Sequence, residues 1–106
     1  MHEAFFIALH MLNLNIKNET SRLRAVILGT AKSNGGVPDL QDCYDPKSIE
    51  HVLQGTYPCE EHMILEMDAV ANVFKKYNVQ VFRPDIIENY NQIFSRDIAF
   101  VIDDLF

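Results

Sequence analysis

The stretch from Pro58 to Tyr77 most constrains the fold of this chain. Met63, Ile64, Met67, Val70, Ala71 and Phe74 recur at helical spacing and form one apolar stripe. Glu60 and Glu61 stand in the first turn and Lys75 and Lys76 in the last, each placed to complement the helix dipole. Asn78 is a suitable stop, and Val79-Gln80-Val81-Phe82 follows as a strand that Pro84 ends. A stripe of this kind is predicted to face a core, with a methionine-bearing partner surface as the alternative.

Upstream, Arg22-Leu23-Arg24-Ala25-Val26-Ile27-Leu28-Gly29 starts as an alternation and becomes continuously apolar. That is the pattern of a strand buried on both faces. Residues 30–44 read as a loop, because Ser33-Asn34-Gly35-Gly36 is a turn signal in which Asn and Gly tolerate positive φ. Asp45-Pro46 opens a short helix, with Asp45 as cap and Pro46 at the first helical position. Ile49, Val52 and Leu53 share one of its faces, and Gly55 supplies a left-handed stop. Residues 85–92 are polar and read as a loop or short helical turn. Ile98-Ala99-Phe100-Val101-Ile102 reads as another buried strand, with Asp103-Asp104 as its turn. Strand, helix, long helix, strand, strand is an α/β order, and two strands running the same way imply a right-handed crossover.

The chain has 106 residues, of which 48% are hydrophobic, enough for one small unit and too few for two ordinary domains. A unit of this size buries only about 60–65% of its unfolded surface, so each packing partner counts. The net charge is −6 and no basic run occurs, which argues against nucleic-acid binding. The apolar residues 4–14 are too few to span a bilayer, which takes about 20. Glu3 in place of a cation makes them a poor secretory signal. Met11 offers a second start, so residues 1–14 are read as an extension and 15–106 as the folded module. Cys43 and Cys59 form no C-x-x-C, and nothing in their spacing requires a disulfide; a reduced, cytoplasmic protein is the expectation. His2, His10, His51 and His62 make no metal-binding pattern, so no metal is expected. Asn18-Glu19-Thr20 matches a glycosylation triplet, a pattern common by chance. The loop at 29–36 lacks the spacing of either glycine-rich nucleotide-binding motif.

Two stretches carry a family resemblance. One is Arg24-Ala25-Val26-Ile27-Leu28-Gly29, a first strand with a long loop after it. The other is Asn91-Gln92-Ile93-Phe94-Ser95-Arg96-Asp97, leading into an apolar run. With the intervening helix and Phe82-Arg83-Pro84, they resemble the opening module of the amidinotransferase and arginine deiminase superfamily, over about residues 15–106. The resemblance implies an incomplete α/β propeller of the pentein type, here the first module and the start of the next. It implies guanidino chemistry, as transferase or hydrolase, through a late cysteine nucleophile and a histidine from a middle module, with no cofactor.

Carried over residue by residue, the resemblance gives Asp97 as the carboxylate that binds a substrate guanidinium. A carboxylate can accept two N–H bonds from that planar, permanently charged group. Phe94 matches an aromatic side chain lining the deiminase pocket, and Asn91 an asparagine holding the substrate's polar end. Each also has a purely structural reading: a turn or ion pair for Asp97, core for Phe94, a turn for Asn91. Arg83 reads as structural. Neither cysteine and none of the histidines matches the family's catalytic pair, so the chain is expected to be inactive alone. Cys59, at a helix start, is the thiol to test for reactivity. The competing expectation is a non-catalytic module whose open edges favour self-association or a partner.

Overall fold

A computed structural model describes residues 12–97 and 99–105. The elements are β1 (Ala25–Ile27), α1 (Pro46–Gln54), α2 (Glu60–Lys76) and β2 (Gln80–Phe82), with short 3-10 turns at Leu40–Asp42 and Ser95–Asp97. β1 and β2 pair in parallel, with Ala25 opposite Gln80, Val26 opposite Val81 and Ile27 opposite Phe82. The ladder continues past the strands: Gln80 N–H donates to Arg24 O at 2.9 Å, and Leu28 N–H to Phe82 O at 2.9 Å.

Local chemistry explains the helices. Asp45 has extended backbone and accepts the Ser48 N–H at 2.8 Å, and Pro46 follows at the first helical position. Gly55, at φ 68°, closes α1: Gly55 N–H donates to Val52 O and Thr56 N–H to His51 O. The same pair of bonds closes α2, from Asn78 to Lys75 and from Val79 to Phe74. Asn78 has φ 60°, a conformation that asparagine adopts more readily than most residues. Val79 is thereby brought back over the last turn and buried at 7% exposure.

α2 packs on β2. Ala71 is buried on the packed face, and Met63, Ile64, Met67 and Phe74 are half-buried there. The buried apolar residues among those described are small: Ala31, Ala71 and Val79. β1 is half-buried along its length. The expectation of a strand covered on both faces therefore fails: among the described residues the sheet has only two strands, and α2 packs on β2.

The turn at 33–36 forms, with a different residue taking the strained conformation. Ser33, Gly35 and Gly36 have positive φ; Asn34 does not. Its backbone N–H donates to Glu60 Oε1 at 3.0 Å and its Oδ1 accepts from Gly36 N–H, which holds it in ordinary backbone space. Loop 30–44 gains the short turn at Leu40–Asp42. Leu53 is 68% exposed, so the face of α1 that it was expected to share with Ile49 and Val52 is only partly packed.

The strand expected at 98–102 does not form within the described residues, from which Ile98 is excluded. Residues 99–101 belong to no ladder, and Phe100 and Ile102 are 72% and 62% exposed. Among the described residues, 99–101 have no sheet neighbour to supply hydrogen bonds. Ile102 and Leu105 bond to each other across a turn, where Asp103 has φ 54°. Asp103 also pairs with Ile16, through N–H···O bonds of 2.8 and 2.7 Å that join the two ends of the described chain. Most of the apolar stretch at 4–14 lies outside the described residues.

Candidate functional site

Both parallel strands end on the same side, and the segment at 91–97 lies against that end. Gly29 makes the approach possible. A Cβ there would collide with the backbone oxygens of Gln92 and Ile93. Directly after Gly29, Thr30 N–H donates to Gln92 O at 3.0 Å in an antiparallel bridge. One residue before the end of the apolar run, Ile27 O accepts the Ser95 hydroxyl at 2.8 Å. The two stretches that carry the resemblance, 62 residues apart between Gly29 and Asn91 in sequence, are thus in direct contact.

Gln92 fastens this arrangement. It is 2% exposed, its Oε1 accepts the Ile87 N–H at 2.8 Å, and its Nε2 donates to Asp85 O at 2.9 Å. A buried amide that satisfies a donor and an acceptor of the same loop fixes that loop's shape. Its sequence signal was absent, since a glutamine in a polar stretch looks like any solvated loop residue.

The expected site residues have separate fates. Asn91 is exposed and spends its Oδ1 on the Ile93 N–H at 3.1 Å, which is the turn role. Phe94 is 57% exposed and so is not core. Asp97 ends the 3-10 turn, with its N–H on Phe94 O at 3.1 Å. Arg96 joins Phe94 and Asp97: its guanidinium carbon lies 5.9 Å from the Phe94 ring centroid, and its Nε 3.8 Å from Asp97 Oδ1. Side-chain exposures of 85% for Arg96 and 69% for Asp97 make this a solvated pair, worth about 0–1 kcal/mol. The arrangement sets one guanidinium near an aromatic ring and a carboxylate, in solvent and beyond hydrogen-bond distance of the carboxylate.

A cleft of about 350 Å³ opens between the segments after β1 and β2 and α2. Thr30 and Lys32 from the end of β1, Arg83 and Ile86 after β2, and Ile64 and Asp68 from α2 line it. Arg83 Nη1 meets Asp68 Oδ1 at 3.4 Å on the cleft wall. Asn91, Phe94 and Asp97 do not line the cleft.

Cys43 is half-buried and Cys59 exposed, both as free thiols. Cys59 occupies the N-cap of α2 without a side-chain hydrogen bond to the helix. No group of histidine, cysteine and carboxylate side chains among the described residues could hold a metal ion. No helix among them is long and apolar enough to cross a membrane. Compared with known proteins, the chain matches no family model, no curated protein and no solved structure.

Proposed function

We propose that this chain is the opening module of an amidinotransferase-like or arginine deiminase-like enzyme, contributing part of the pocket for a guanidino substrate such as arginine. In this reading the module belongs to an incomplete α/β propeller of the pentein type, and works in the cytoplasm. The observation that carries it is the grouping of Phe94, Arg96 and Asp97, which already accommodates one guanidinium. Asp97 would accept N–H bonds from the substrate and Phe94 would pack on its face, once Arg96 gives way. Asn91 is a weaker member, because its side-chain oxygen is engaged by its own turn. Holding the guanidinium fixed orients its carbon for attack by a nucleophile. That nucleophile and its base have no counterpart among Cys43, Cys59 and the histidines, so the module binds and does not turn over.

The direct test is carboxyl-detected NMR of the chain during titration with guanidinium and with L-arginine. Saturable shifts at Asp97 and the Phe94 ring, abolished by Asp97→Ala, are expected. Equal shifts at every exposed carboxylate would sink the assignment. Release of citrulline or ornithine from arginine by this chain would overturn its inactivity.

A second reading, a non-catalytic module that pairs through open edges, is favoured by one observation. Every large apolar side chain among the described residues keeps some exposure. Sedimentation as a stable monomer at high concentration would count against it.

A further inference from the structure

The outer side of α2 carries a row of exposed apolar side chains that the proposed pocket does not use. At about 3.6 residues per turn, the packed side of the helix is the one bearing Met63, Met67, Ala71 and Phe74. Away from that side Leu65, Ala69 and Val73 follow one another at four-residue intervals, and Tyr77, the C-cap just past the helix, continues the row toward the packed edge. Leu65 is 66% exposed, Val73 55% and Tyr77 67%, and Ala69 is exposed with them. His62, Glu66 and Lys76 are exposed beside this row, so it is a narrow apolar ridge on a mixed face. Residues spaced by four form a ridge, and two such ridges interdigitate in the commonest class of helix packing.

We propose that this ridge is a self-association surface, on which two copies of the chain pack α2 against α2 in antiparallel sense about a two-fold axis near Ala69 and Val73. Charge selects the occupant. Glu61 and Glu66 are exposed toward the start of the helix, and Lys75 and Lys76 toward its end. Antiparallel copies set the acidic end of one helix against the basic end of the other, and they oppose the two helix dipoles favourably. Parallel copies would set like against like. An isologous contact also needs a surface complementary to itself. A ridge with Leu65 at one end, Tyr77 at the other and the small Ala69 near its middle meets that need, because the large ends overlap and the middle permits close approach. The proposal is independent of the guanidinium pocket, which lies on the segment at 91–97.

Sedimentation velocity from low micromolar to near-millimolar concentration should show the full chain passing from monomer to dimer. Added salt should weaken the dimer, and Ala69→Arg should leave a monomer throughout with unchanged circular dichroism. In a Cys43→Ser, Cys59→Ser background, a single cysteine introduced by Ala69→Cys or Val73→Cys should oxidise to a disulfide-linked dimer several-fold faster than one introduced by Leu65→Cys or Tyr77→Cys. Four overlapping rates would mean a parallel or nonspecific contact and would overturn the proposal. So would a wild-type chain that stays monomeric, or a dimer indifferent to Ala69→Arg. Guanidinium binding at Asp97 should be the same in Ala69→Arg and wild type, which separates failure of one idea from failure of the other.

Discussion

The hydroxyl of Ser95 donates to the carbonyl of Ile27 at 2.8 Å, joining residues 68 positions apart. That bond lies at the outer side of β1 and sets the distance between the first strand and the segment bearing Phe94 and Asp97. Ser95→Ala should cost about 1 kcal/mol in urea unfolding, the usual net value of such a bond. Ser95→Thr, which keeps the hydroxyl, should recover most of it. Equal losses in the two variants would show that the bond contributes nothing.

Gly29→Ala tests the close approach beside it. The added Cβ would meet backbone oxygens of Gln92 and Ile93, which cannot swing aside as a side chain can. Overpacking of this kind costs about 1–3 kcal/mol, and the amide signals of residues 91–97 should shift together. A silent substitution would mean that the two segments stand farther apart in solution.

Gln92→Ala should be more damaging than its loop position suggests. It leaves Ile87 N–H and Asp85 O without the partner each now has in Gln92. The cost of an unsatisfied buried group is about 1–3 kcal/mol. Hydrogen exchange at Ile87 should accelerate by at least tenfold. Unchanged protection would place the loop's stability elsewhere.

The cap of α1 carries a pH dependence. The hydrogen bonds from Ser48, side chain and backbone, hold the Asp45 carboxyl below its ordinary value. A carboxyl depressed by folding stabilises the fold above its unfolded value, about 3.9. That contribution is lost as pH falls through the lower, folded value. The Ser48 amide shift should therefore titrate at more acid pH than a free aspartate. In Asp45→Ser, which caps without ionising, it should stay flat.

Arg96→Ala removes the guanidinium now lying over Phe94. Arg96 is exposed, so stability should move by no more than about 0.5 kcal/mol. Added guanidinium should then shift Asp97 more strongly than in wild type, because the internal competitor is gone. No gain in response would argue that Arg96 never occupied the place proposed for the substrate.

The sequence made the helices legible because their signals are local. Asp45, Pro46 and Gly55 bound α1 through contacts a few residues long, and the stripe from Met63 to Phe74 names the packed face of α2 except at Val70, which is 43% exposed. β1 and β2 were legible as apolar runs, and their shared direction followed from the helices between them. The expected strand at 98–102 failed for the opposite reason: a strand depends on neighbours that a run of apolar residues does not specify. The candidate site divides in the same way. Asn91 used its side chain locally, as asparagine in a turn commonly does. The contact of Gly29 and Thr30 with Gln92 could not be read from spacing at all, since it depends on where two distant loops meet. Arg96, in the same string, places its guanidinium carbon 5.9 Å from the Phe94 ring centroid and its Nε 3.8 Å from Asp97 Oδ1, a grouping that spacing did not announce.

The pairing of Ile16 with Asp103 has a mechanical consequence. Tension applied between those two positions would load their two hydrogen bonds before it reached α2 or the ladder of β1 and β2. The bridge acts as a clasp. Opening it would lengthen the path between its ends while the strands and helices stay assembled, so a stretched molecule should yield in two events, the weaker one first.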